Sequence, residues 1–180
     1  MIDFLKIKKI LEDDKVIIYP TESLYGFGSK YDSKKAKDKI YSIKERGSKK
    51  PFLLLINSYQ MAEKLVYISD KKKEFLKRYW PGHLTVIFNS INSNETIAIR
   101  YPNTVFLNQL FKFIDFPITS TSVNRSGEKP YSDILKIKKE FSKEVDLIID
   151  LPVEKEGKAS TIIDFTGEKP IVIRSGDIQI

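Results

Sequence analysis

The sequence predicts an α/β fold: a twisted mixed β-sheet with helices packed on it. Two observations carry this. Short apolar runs such as "VIIY" (16–19) and "FLLLI" (52–56) alternate with segments of helical periodicity. Two places, "LTVIF…TIAIR" and the C-terminal stretch, set strands next to one another with no helix between, which favours a mixed sheet over a purely parallel one. No apolar run approaches the roughly 20 residues that span a bilayer.

In order along the chain, Phe4, Ile7, Ile10 and Leu11 give a short amphipathic helix over residues 3–12, and "VIIY" follows as a buried strand. "PTESLYGFGSK" is polar and glycine-bearing and reads as a loop. Ser33 caps a helix to about Glu45, with Ala36, Ile40 and Ile43 inward and Gly47 as its stop. "FLLLI" is a second buried strand. Helical stretches then start at Ser58 and at Asp70, the latter ending in Tyr79 and Trp80. After "PGH" come strands over 84–88 and 96–100, a helix from Asn103 or Thr104 through Ile114, and the strand "PITSTS". A helix near 133–141 and strands at 147–150, 161–165 and 171–174 complete one expected domain over residues 1–180.

Composition narrows the chemistry. The chain has no cysteine and one histidine, His83, which removes disulfides, thiolate nucleophiles and His-cluster metal sites; a hard cation carried on substrate phosphates stays open. The N-terminal "MIDFLKIKKILEDDK" mixes charges with apolar residues, unlike a signal peptide, so a cytoplasmic location is expected. The net charge of +7 points to anionic partners, nucleotide or nucleic acid. Of the 31 basic residues only Arg46, Arg78, Arg100, Arg125 and Arg174 are arginines, a pointer to places where a planar fork is needed.

Several polar segments adjoin strands. In "YPTESLYGFGSK" the glycine pair allows close backbone approach to a ligand or simply closes a tight turn, and Thr21 and Ser23 offer hydroxyls. In "IKERGSKKPF" Lys44, Arg46, Lys49 and Lys50 crowd a Gly-Ser loop; they either splay into solvent or clamp phosphates. "TSTSVNRSGEKPYS" is dense in hydroxyls and amides suited to orienting a ligand. "IAIR" and "IVIR" each finish an apolar strand with an arginine, which requires an internal salt bridge or a polar cavity. His83, beside the Pro81-Gly82 turn, is assigned no role.

Taken in order, "YPTESLYGFG", "IKERGSKKPF", "WPGHLT", "IAIRYP", "TSTSVNRSG", "STIIDFTG" and "IVIRSG" resemble the threonylcarbamoyl-adenylate synthase, or YrdC-type, family across nearly the whole chain. The resemblance implies a YrdC-like fold, a twisted sheet around a basic cavity, in its short, single-domain form. It implies that L-threonine, bicarbonate or CO2, and ATP with Mg2+ are joined into threonylcarbamoyl-AMP with release of pyrophosphate. Partner proteins would then carry the threonylcarbamoyl group to tRNA, with direct tRNA binding left open. By resemblance, Lys44, Arg46 and Lys50 hold phosphates; Thr96, Asn124, Ser132 and Arg174 line the nucleotide; Ser23, Arg100, Ser122 and Ser160 surround threonine; no protein metal site is implied. The chain departs from the family pattern at Gly47, where proline is common; at Phe52, for leucine; at His83, for proline; and at Val123, for alanine. Ser23 stands where threonine is frequent and keeps the hydroxyl. The alternative class is a non-catalytic RNA-binding module with a basic cavity, which would bind tRNA in a salt-sensitive manner without threonine.

Overall fold

The computed structural model describes residues 2–45, 51–154 and 159–180. Its elements are α1 (Phe4–Glu12), β1 (Ile17–Pro20), β2 (Tyr25–Gly28), α2 (Lys34–Ile43), β3 (Leu53–Leu55), α3 (Tyr59–Glu63), α4 (Asp70–Leu76), β4 (Leu84–Asn89), β5 (Thr96–Arg100), α5 (Val105–Leu110), β6 (Ile118–Ser122), α6 (Ile134–Phe141), β7 (Leu147–Ile148), β8 (Thr161–Asp164) and β9 (Ile171–Arg174). The strands form one mixed sheet in the order β7-β1-β2-β6-β3-β5-β4-β8-β9. β1–β7, β3–β5 and β4–β8 are parallel pairs; β4–β5 and β8–β9 are antiparallel, as their closeness in sequence predicts.

Alternation along β1 explains how helices cover both faces. Ile17 and Tyr19 enter a large apolar cluster with Ile7 and Leu11 of α1 and Phe106, Leu107 and Leu110 of α5. Val16 and Ile18 enter a second cluster with Ala36 and Ile40 of α2 and Ile137 and Phe141 of α6. Leu11, Ile17 and Ile40 are wholly buried, each stabilising the fold by about 1.5–3 kcal/mol relative to exposure.

The helix starts follow local chemistry. Ser33, Ser58, Ser69 and Thr104 each accept a backbone N–H three residues on, satisfying a donor that the first turn leaves unpaired. α2 stops at Ile43, with Lys44 as its C-cap, and Glu45 takes a left-handed φ of 51°. Gly47, expected as the stop, lies outside the described residues. No helix among the described residues is long and apolar enough to cross a membrane.

The sheet departs from expectation at β2, which the sequence reads as a loop. Tyr25–Gly28 is fully buried and pairs antiparallel with β1 and β6. Its glycine at 28 is needed by packing: a Cβ there would stand 2.4 Å from the Tyr19 ring carbon Cε1. The glycine that hides this strand from propensity is what lets it pack.

Candidate active site

A cavity of about 450 Å3 opens along one face of the sheet, walled by residues of β2, β6, β5, β4, β8 and β9 and the loop between β1 and β2. Period-two alternation builds its floor. Ile99 of β5 points into the apolar cluster, while Ala98 and Arg100 line the cavity. On β4 the cavity residues are Thr85 and Ile87, with Val86 on the apolar side.

Arg100 ends β5 opposite Thr85 and is nearly buried. The two homes the sequence offers it are both occupied: it lines the cavity, and its Nη2 lies 3.4 Å from Glu22 Oε2. The contact is electrostatic and incompletely bonded, since among the described residues neither Glu22 carboxylate oxygen accepts a hydrogen bond and Arg100 Nε has no partner. Arg174, ending β9, also lines the cavity. It donates from Nε at 3.2 Å and Nη2 at 2.8 Å to the Ser160 carbonyl, and from Nη2 at 3.3 Å to Ser160 Oγ. Ser160 Oγ shares a 2.9 Å hydrogen bond with Thr85 Oγ1. Burial, and the charge of Arg100, push the Arg174 guanidinium below its ordinary pKa. Two guanidiniums thus repel one another across a concave site, an arrangement that an anionic ligand relieves.

Ser23 sits in the loop before β2, closed by Thr21, whose N–H and Oγ1 both donate to the Leu24 carbonyl at 2.8 and 2.7 Å. Ser122 ends β6, its Oγ donating to Asn124 Oδ1 at 2.7 Å. Ser23, Arg100, Ser122, Ser160 and Arg174 therefore line one cavity, although they lie far apart in sequence.

Other expected residues lie elsewhere. Lys44 is buried behind the wall, and its ammonium donates to the Ser122 carbonyl at 2.6 Å, the Asn124 carbonyl at 3.1 Å and Asn124 Oδ1 at 2.6 Å. It pins the loop after β6 to the end of α2. Asn124 is likewise buried in this knot, its Nδ2 donating to the Glu128 carbonyl at 2.7 Å. Ser132 borders a separate shallow hollow with Lys129 and Lys136. Thr96 is exposed at the far end of β5, on the same face as Arg100 but about 13 Å along the strand. Arg46 and Lys50 lie outside the described residues.

The cavity also holds residues that sequence reasoning passed over. Thr85 adds a hydroxyl, beside that of Ser120 from the segment already singled out, and His83, given no role, stands on the wall. The signal for Thr85 was available, because it is a polar residue at an alternating position within the apolar strand "LTVIF". Among the described residues no group of three or more His, Asp and Glu side chains is placed to hold a metal ion.

Residues 9–176 match the family model named Sua5_yciO_yrdC, described as "Telomere recombination". The chain belongs to the Sua5/YciO/YrdC family. A Methanocaldococcus jannaschii relative, provisionally named a threonylcarbamoyl-AMP synthase, is 35% identical over 186 residues, covering 100% of this chain and 87% of its own length. A threonylcarbamoyl-AMP synthase of Wigglesworthia glossinidia brevipalpis is 29% identical, covering 97% of this chain and 94% of its own. Among solved structures, Pyrococcus abyssi Sua5 complexed with L-threonine superposes with a TM-score of 0.87 at 26% identity, over 96% of this chain. This chain spans about half of that protein, 54% of its length. The fold is the YrdC-like fold that the resemblance implies.

Proposed function

We propose that this chain is an L-threonylcarbamoyladenylate synthase, a nucleotidyl-transferring enzyme that joins L-threonine, bicarbonate or CO2, and ATP into threonylcarbamoyl-AMP and pyrophosphate. The observation that carries this reading is the convergence of Arg100, Arg174, Ser23, Ser122 and Ser160 on one cavity. The guanidinium of Arg100, incompletely bonded to Glu22, is the fork for threonine's carboxylate. The three serine hydroxyls surround its amine and side-chain hydroxyl. The amine becomes a carbamate, whose oxygen attacks the α-phosphorus of ATP as the bond to pyrophosphate breaks. Such a step rests on charge neutralisation and alignment and needs no protein nucleophile.

Arg46 and Lys50 are the proposed phosphate ligands, and Arg174, Thr96, Asn124 and Ser132 the proposed nucleotide contacts. Lys44 would serve by holding the Ser122–Asn124 loop in place. Mg2+ would arrive on the ATP phosphates, as suits a hard cation that binds through few protein ligands. The product would pass to proteins that transfer the threonylcarbamoyl group to tRNA, in the cytoplasm; direct tRNA contact is a separate proposal, favoured by the net charge of +7.

Pyrophosphate release from Mg-ATP, with threonine and bicarbonate added or omitted and serine as rival, tests the reading. Release that requires both threonine and bicarbonate is expected. A folded, ATP-binding protein without threonine-dependent release would overturn it, and threonine-independent, salt-sensitive tRNA binding would replace it with the RNA-module reading.

A further inference from the structure

His83 is the chain's single histidine, and the fold gives it what a catalytic imidazole needs. It lines the cavity just before β4, on the face shared with Thr85 and Ile87. Its side chain is 10% exposed, and Nδ1 lies 2.8 Å from Asp177 Oδ1. Asp177 comes from the segment after β9, which packs tightly there. Gly176 N–H donates to Thr161 Oγ1 at 2.9 Å, and a Cβ on Gly176 would stand 2.2 Å from the Ala159 carbonyl oxygen. A carboxylate at Nδ1 favours the tautomer with its proton there, fixes the ring, and leaves Nε2 as the nitrogen open to a ligand.

The other ionisable residues on the described wall are unsuited to proton exchange near neutral pH. Arg100 and Arg174 offer donors and no acceptor, and the Tyr25 phenol donates to the Leu151 carbonyl at 2.9 Å. Threonine, for its part, is an ammonium in neutral water, with no lone pair to attack carbon.

We infer that His83, held by Asp177, is the proton acceptor that frees the substrate amine; this rests on the synthase reading above. Nε2 takes one proton from the ammonium, leaving a neutral amine and an imidazolium. The amine lone pair forms the N–C bond to CO2 while one C–O π pair moves onto oxygen. The second N–H proton leaves to solvent, giving the carbamate. The imidazolium returns its proton to bicarbonate, which dissociates to water and the next CO2. The net change is ammonium plus bicarbonate going to carbamate, water and one proton.

Among the described residues, Asp177 on the C-terminal segment meets His83 directly, and the charged groups that share the cavity wall with it are Arg174 on β9 and Arg100 on β5, the latter beside Glu22. Removing the Asp177 charge disfavours an imidazolium beside it, and that change is what Asp177→Asn reads. The test is the pH dependence of threonine- and bicarbonate-dependent pyrophosphate release, over about pH 5.5 to 9, for the wild type, His83→Gln and Asp177→Asn. At neutral pH His83→Gln is expected to lose about 100-fold in kcat, with the KM for threonine much less affected. Its acidic limb changes from the plateau of a titrating base to a steady rise with the free amine in solution. Imidazole added to His83→Ala restores part of the rate. Asp177→Asn moves the acidic limb to lower pH. An active wild type whose limb and kcat survive His83→Gln overturns this inference and leaves the synthase standing. A loss confined to KM also overturns it. A wild type without threonine-dependent release overturns both readings. Should His83→Gln fail to fold, an unmoved limb in Asp177→Asn overturns the inference.

Discussion

Glu22 Oε2 and Arg100 Nη2 lie 3.4 Å apart, with side-chain exposures of 9% and 6%, yet among the described residues the carboxylate accepts no hydrogen bond. The carboxylate therefore neutralises the arginine without saturating it, and the guanidinium keeps donors for a ligand. Replacing Glu22 by Gln leaves a buried cation without its counter-charge. Glu22→Gln is expected to lose about 3 kcal/mol of folding stability, part of which saturating L-threonine restores by placing its own carboxylate there. Urea unfolding with and without threonine checks this. Unchanged stability would show that the pair is not the arginine's counterweight.

Among the described residues Lys44 donates to three acceptors, two of them main-chain carbonyls, at the junction of α2 and the loop after β6. Lys44→Met keeps the bulk and removes the donors, so its buried acceptors lose their partner. The expected loss is about 2–3 kcal/mol, read as a lower denaturation midpoint. Activity should fall with it, because Ser122 hangs from the same knot. A variant as stable as wild type but inactive would instead place the Lys44 ammonium on substrate.

Gly176 packs where a methyl group would meet the Ala159 carbonyl oxygen at 2.2 Å and the Thr161 amide nitrogen at 2.5 Å. Both obstacles are backbone and neither can swing aside. Gly176→Ala is expected to destabilise the protein by about 1–3 kcal/mol and to displace Ser160 and Asp177 together. A crystal structure of the variant with both residues in place would refute this.

Asp146 tests the linkage of stability to pH. Burial raises its carboxyl pKa, but Lys39 Nζ at 2.7 Å and the Val16 N–H at 2.9 Å outweigh it and hold it below the ordinary value. A depressed folded pKa contributes stability above the unfolded value of about 3.9 and loses it as pH falls through the folded value. Asp146→Asn should therefore be less stable at neutral pH by about 1 kcal/mol, given partial exposure. The difference should close in acid below the folded pKa. Denaturation midpoints across that range decide it, and a constant difference would contradict the account.

The sheet was legible wherever apolar alternation ran through ordinary strand formers, as in β4, β5, β8 and β9. It was illegible in β2, where "YGFG" signals a loop and only the proximity of the Tyr19 ring explains the glycine. Arg100 and Arg174 were legible for a physical reason: an arginine that closes an apolar strand must meet an anion or a cavity. Glu22 and His83 were not, because their meaning depends on partners brought from across the fold; His83 and Asp177 are 94 residues apart. Lys44 was assigned to phosphates by resemblance, and only the loop folded over it shows the acceptors that its ammonium meets. Thr96, Asn124 and Ser132 were placed by resemblance alone, and resemblance does not say how deep in the wall a side chain sits.

The most direct measurement follows isotopically labelled bicarbonate into product. The protein is incubated with Mg-ATP and L-threonine, and the nucleotide fraction is separated before the adduct decays. The account predicts labelled carbon in an adduct that contains both AMP and threonine, formed in step with pyrophosphate and lost in Arg100→Ala. Pyrophosphate released without labelled carbon in the nucleotide, or no threonine-dependent release at all, would contradict it.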